Sequence, residues 1–228
     1  MTKLNQKALA SVLGVLIAMA LLLFAPAETF HYWQAWVFLA VYGMGSLAIT
    51  IYLMKRDPGL LERRLRGGPA AEKKPTQKII QSFTALGFVA MLVVPAVDHR
   101  FRGSGLPAVV VLAGYVLLAG GFLMVFLVFR ENTFASATVE VAREQRVIST
   151  GPYALVRHPM YAGSLVWLIG MSLALGSAWG PLVVLVMLPA LIWRLLDEEK
   201  FLTDNLPGHR EYCQSVPPQL EMEKAFFR

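Results

Sequence analysis

Six apolar blocks, at 8–25, 32–54, 79–97, 107–129, 160–176 and 179–193, constrain the fold more than any other feature of this chain. About twenty apolar residues cross a bilayer as a helix, and lipid tolerates no open sheet edge, so blocks of this length predict membrane-spanning helices. Composition agrees: of 228 residues 56% are apolar and 16% charged, well below the rough quarter charged in soluble domains. The expected fold class is all-α and integral to the membrane, a bundle of about six transmembrane helices whose last two form a short helical hairpin. That hairpin turns at Gly176-Ser177-Ala178-Trp179-Gly180-Pro181, where turn-forming residues separate two shorter blocks; five spans plus a partial hairpin is the alternative. Lys3 and Lys7 precede the first block, but the block is too long for a signal core and Ala25-Pro26-Ala27 is a poor cleavage site, so it is expected to stay as a span.

Charge sets the expected orientation. Of the 21 Lys and Arg residues, all but Arg100 and Arg102 fall at the N-terminus, in the linker 55–78, in the loop between the fourth and fifth blocks, or after the sixth. The positive-inside rule makes both termini and that loop cytoplasmic, in a cell inner membrane or its equivalent. The net charge of +6 then matches anionic headgroups, so membrane lipids are expected partners. With no basic stripe interleaved with aromatics, nucleic acid is not an expected partner. A single cysteine, Cys213, excludes a disulfide framework and a cysteine-cluster metal site. His31, His99 and His209, placed in separate loops, show with His158 no ligand spacing, so no metal is expected. Tyr32-Trp33-Trp36 reads as an interfacial anchor, Gly114, Gly120 and Gly121 as sites of close helix packing, and the linker 55–78 as a surface piece on headgroups without chemistry. Residues 1–129 form an N-terminal unit of four spans; residues 130–228 form a second unit of loop, hairpin and cytoplasmic tail.

The polar residues of that second unit are costly beside hydrocarbon and therefore read as a site. Pro159 suits the first turn of a helix and biases its predecessor away from helical angles, so Arg157-His158 should lie just outside a helix beginning there. The helix N-terminus then faces the loop and attracts an anionic group. Farther on, Arg194 and Glu198 share a helix face while Glu199 is turned about a hundred degrees away. An exposed ion pair of Arg194 with Glu198 is the plain reading, worth a few tenths of a kcal/mol. A cationic loop and a carboxylate at one mouth would instead hold a zwitterion.

The stretches Val147-Ile148-Ser149-Thr150-Gly151-Pro152-Tyr153, Arg157-His158-Pro159-Met160-Tyr161-Ala162-Gly163, Trp193-Arg194 with Glu198-Glu199, and Arg210-Glu211-Tyr212 before Val216-Pro217 resemble the isoprenylcysteine carboxyl methyltransferase family, part of a wider group with the phospholipid N-methyltransferases. The resemblance runs from about 129 to 220. It implies S-adenosyl-L-methionine as cofactor, in a cytoplasmic pocket between the 145–161 loop and the hairpin, lined by Gln145, Arg146, Val147, Ile148, Tyr153, His158, Pro159, Met160 and Tyr161. Glu198 would meet the cofactor's polar end and Arg194 would hold the substrate, the two forming the catalytic pair. Gln145 departs from the family pattern, standing where the eukaryotic enzymes have histidine. The activity implied is methyl transfer to a lipophilic small-molecule or lipid acceptor, entering from lipid between the fourth span and the hairpin. A carboxylate is the first expectation, because it needs no deprotonation at neutral pH and a forked guanidinium orients it. A phospholipid amine or a small thiol is the alternative. A sterol or lipid reductase and a non-enzymatic membrane subunit are the competing classes.

Overall fold

In the computed structural model, residues 2–72, 74–101, 103–138, 141 and 145–216 are described. Lys73, Arg102, Arg143 and the tail 217–228, with Pro217, Lys224 and Arg228, lie outside them. The described residues form eight α-helices: α1 (Lys3–Ala27), α2 (Trp33–Arg56), α3 (Pro58–Leu65), α4 (Pro75–Arg100), α5 (Ala108–Glu131), α6 (Pro159–Ala174), α7 (Gly180–Asn205) and α8 (His209–Ser215). Of these α1, α2, α4, α5 and α7 are long and apolar enough to cross a membrane. The 16 residues of α6 reach only about 24 Å at 1.5 Å each, short of a hydrocarbon core of about 30 Å.

The hairpin is therefore unequal. Its second arm, α7, has 26 residues and continues past Trp193, where the apolar block ends, through Arg194, Glu198 and Glu199. Backbone hydrogen bonds carry the helix beyond its hydrophobic stretch to Asn205, so Arg194, Glu198 and Glu199 share one helix, as their spacing requires. Gly176 turns the chain with φ 75°, a left-handed angle that favours glycine.

Glycines fix the tightest seam, between α5 and α6. A Cβ at Gly114 would stand 2.4 Å from the Ala174 backbone nitrogen, one at Gly121 2.5 Å from Trp167 Cβ, and one at Gly170 2.3 Å from the Leu118 nitrogen. Gly120 faces open space, so the packing role expected of it falls to Gly170. At these three positions the α5 and α6 backbones stand in contact. Gly170→Ala is expected to destabilise the bundle by about 1–3 kcal/mol through overpacking, while Gly120→Ala does not. Equal unfolding midpoints for the two variants in detergent would mean that the seam yields freely.

Met19, Leu23, Phe38, Met91, Leu92, Leu118, Leu168 and Met171 join α1, α2, α4, α5 and α6 in one core. At one end of the bundle Tyr32 is fully buried. Its hydroxyl donates to the Leu175 carbonyl at 2.6 Å and its ring stacks on His99 at 4.1 Å. Only Trp33 and Trp36 of the expected aromatic anchor are exposed, because the Tyr32 hydroxyl finds a partner inside. His99 belongs to the last turn of α4 and His209 opens α8, not loops.

The opposite end gathers the N-termini of α1, α4 and α6 with the C-termini of α2, α5 and α7. Here α3 packs against α1, α2 and α5. Asp57 starts it by accepting from the Leu60 amide at 2.8 Å, with Pro58 in the first turn, the usual chemistry of a helix start. Leu60 and Leu61 are buried against Leu53 and Phe129, while Glu62 and Arg66 face out.

Candidate active site

His158 caps α6 and Pro159 opens it, as the proline spacing predicts. The preceding loop is held from two sides. From α5, Glu131 accepts from the Thr150 hydroxyl, and Asn132 Nδ2 donates to the Tyr153 hydroxyl at 2.7 Å. Gly151 makes the bend with φ 57°. From α8, the Tyr212 hydroxyl donates to the Tyr153 carbonyl at 2.7 Å, and Arg157 Nε donates to the Val216 carbonyl at 2.6 Å.

The acidic pair of α7 divides between two tasks. Glu199 grips the loop: its Oε1 accepts from Arg157 Nη1 at 2.7 Å and its Oε2 lies 3.1 Å from His158 Nε2. Glu198, a third of a turn away, meets α6 instead, where the Tyr161 hydroxyl donates to its Oε2 at 2.6 Å. That bond leaves a second carboxylate oxygen for an amine.

Between loop, α6 and α7 lies a cavity of about 380 Å³, within the rough 300–1,000 Å³ of small-molecule sites. Gln145, Arg146, Val147, Ile148, Tyr153, His158, Pro159, Met160, Tyr161, Arg194 and Glu198 all line it, so every candidate residue from the sequence comes to one place. Desolvation, opposed by the Asn132 amide and reinforced by the Glu198 charge, pushes the Tyr153 phenol up to about 12. Tyr153 therefore stays protonated at neutral pH and offers a ring and a neutral hydroxyl, not a base. Desolvation and the neighbouring His158 lower the pKa of His209, which also lines the cavity.

Arg194 departs from the plain helix-surface pair. It does not bridge to Glu198; its Nη2 donates to Glu72 Oε1 at 3.0 Å and to the Ala137 carbonyl at 3.1 Å, and its Nη1 to Gln77 Oε1 at 3.0 Å. Glu72, only 4% exposed, belongs to the linker 55–78 that sequence reading leaves without chemistry. Arg64 of α3 lines the cavity as well and donates to the Ser136 carbonyl at 3.1 Å. The linker thus builds one wall of the site. Its one local signal is the amphipathic character of 58–65; nothing in the sequence pairs Glu72 with a residue 122 positions away.

A second space lies along the seam of α4 and α7. This groove of about 370 Å³ is lined by Phe83, Leu86, Gly87, Ala90, Val94, Trp179, Leu182, Val183, Val186 and Met187. Thr84 and Leu191 border the cavity, about one helical turn from Gly87 and Met187 of the groove. Cavity and groove therefore follow one another along the same two helices.

Comparison with known proteins falls on this part of the chain. Residues 109–207 match the phospholipid methyltransferase family. A cobalt-zinc-cadmium resistance protein, CzcN, of Cupriavidus metallidurans is 27% identical over 104 residues, covering 45% of this chain and 48% of that protein. The chain thus spans about half the length of the relative it matches. Nearly all of α5, the loop, α6 and the whole of α7 lie inside the matched region, so it is this half of the chain, the half that builds most of the cavity, that is similar to the phospholipid methyltransferases.

Proposed function

We propose that the protein transfers a methyl group from S-adenosylmethionine to a lipophilic acceptor that reaches the site from the bilayer. The observation that carries this reading is the convergence of all eleven candidate residues on one cavity, with an apolar groove following it along the membrane-spanning helices α4 and α7. The cavity's chemistry fits the cofactor. Glu198 offers a carboxylate oxygen to its amine, the start of α6 suits its carboxylate, and Tyr153, Met160 and Leu202 give apolar walls for its base.

When bound, S-adenosylmethionine supplies a methyl group on a positively charged sulfur, open to in-line displacement. The protein's share is alignment and exclusion of water. Glu198 and Tyr161 fix the cofactor end from α7 and α6. The loop, held by Arg157 and Tyr212, covers the cavity. The groove of α4 and α7 admits the acceptor's apolar part, in preference to a route between α5 and the hairpin. By the positive-inside rule the cavity opens to the cytoplasm, where the cofactor is dissolved.

The test uses the purified chain in vesicles of defined orientation, given S-adenosylmethionine labelled on its methyl group. Label should enter the lipid-soluble fraction only when the Lys- and Arg-rich face is outside. Absence of cofactor binding by calorimetry would remove the methyl donor from the reading, and transfer from the opposite face would reverse the orientation.

A further inference from the structure

Arg194 lines the cavity near the start of the α4–α7 seam, where a guanidinium would meet the acceptor's head group. Its hydrogens decide what it can hold. A guanidinium grips a carboxylate bidentately along one of two edges, Nη1 with Nη2 or Nε with Nη2, and each edge uses one of the two Nη2 hydrogens. In this protein Nη2 donates to both Glu72 Oε1 and the Ala137 carbonyl. Both edges are therefore taken. The Glu72 carboxylate is 4% exposed, is held further by Gln81 Nε2 at 3.1 Å, and is absent from the cavity lining. It clamps Arg194 from behind and does not block the cavity itself.

We propose that Glu72 is a specificity-determining residue: by occupying the fork of Arg194 it excludes a carboxylate head group and leaves the site to a lipophilic acceptor with a neutral nucleophile, a thiol or an unprotonated amine. The proposal rests on the methyl-transfer reading. Two features reinforce it. Glu72 balances the Arg194 charge, so an incoming carboxylate meets a guanidinium already paired. Glu198, on the same face of α7, adds a second negative charge to the cavity wall. A neutral nucleophile meets neither penalty, and the transfer balances simply: a sulfur or nitrogen lone pair forms the new bond to the methyl carbon as the old carbon–sulfur bond breaks, and a proton leaves the acceptor to solvent.

The test measures calorimetric affinity of the detergent-solubilised full chain for dodecanoate, dodecylamine and dodecanethiol, which share one tail. The unaltered protein should bind the thiol, uncharged at neutral pH, at least tenfold more tightly than the acid, and the amine should gain on the acid further above its own pKa of about 10. Glu72→Ala should raise dodecanoate affinity at least tenfold, and the gain should vanish when Arg194→Ala is added. Glu72→Gln keeps the volume and a carbonyl partner for Arg194 while removing the charge, so it should gain about threefold, a result available even where Glu72→Ala does not fold. Tight dodecanoate binding by the unaltered protein that Arg194→Ala removes would overturn the proposal, as would an unchanged acid affinity in a folded Glu72 variant. Failure of the methyl-transfer reading would show separately, as no heat from S-adenosylmethionine in any variant.

Discussion

Glu198→Gln should weaken S-adenosylmethionine binding by about 1.5–3 kcal/mol, the worth of a hydrogen bond to a charged group, or roughly ten- to a hundred-and-fifty-fold. The geometry makes the change selective. Glu198 Oε2 is held by the Tyr161 hydroxyl, and a glutamine carbonyl accepts that bond equally well, so α6 and α7 stay joined. What is lost is the negative charge that the proposed methyl-transfer reading sets against the cofactor amine. Calorimetric titration of both proteins gives the comparison directly. Unchanged affinity in a folded variant would take Glu198 out of the cofactor site.

Arg157→Met acts on the loop itself. The guanidinium bonds to Glu199 Oε1 and to the Val216 and Cys213 carbonyls, with only 14% of its side chain exposed and 22% of Glu199's. Removing one member of a buried ion pair costs about 3–5 kcal/mol, because the other is left without compensation. Water reaches this pair in part, which places the expected loss near 3 kcal/mol, at the lower end of that range. Because the loop lines the cavity, cofactor affinity should fall with stability. Glu199→Gln should overlap with it, the double variant costing less than the sum, since both break one interaction. Strict additivity in equilibrium unfolding would show that Arg157 and Glu199 act apart.

The contrast between Arg157 and Arg194 shows what sequence makes legible. Membrane spans were readable because hydrophobicity must fill hydrocarbon locally, block by block. The start of α6 was readable because proline limits its own angles and those of His158. The separation of Glu198 from Glu199 by a third of a turn follows from helix geometry alone, and the structure gives the two residues different partners. The family motifs point to the same residues that line the cavity, since loop and hairpin lie close in sequence.

Interactions across distant positions were not readable in this way. The apolar block ends at Trp193, and the helical spacing of Arg194, Glu198 and Glu199 extends the reading of α7 only to Glu199; its end at Asn205 depends on backbone bonds and tertiary support, not on side-chain polarity. Tyr32 looked like an interfacial anchor until Leu175 provided its hydroxyl with a buried acceptor. Glycine backbones bring α5 and α6 into contact while the α4–α7 seam is grooved, a matter of how whole helices dock. Glu72 carries no mark in the linker. Sequence alone determined a helical membrane protein with a polar site at one bundle end. Only the tertiary structure decided which charges meet there, because a carboxylate's partner in low dielectric is set by where the backbone brings it, and 122 residues of chain separate Glu72 from Arg194.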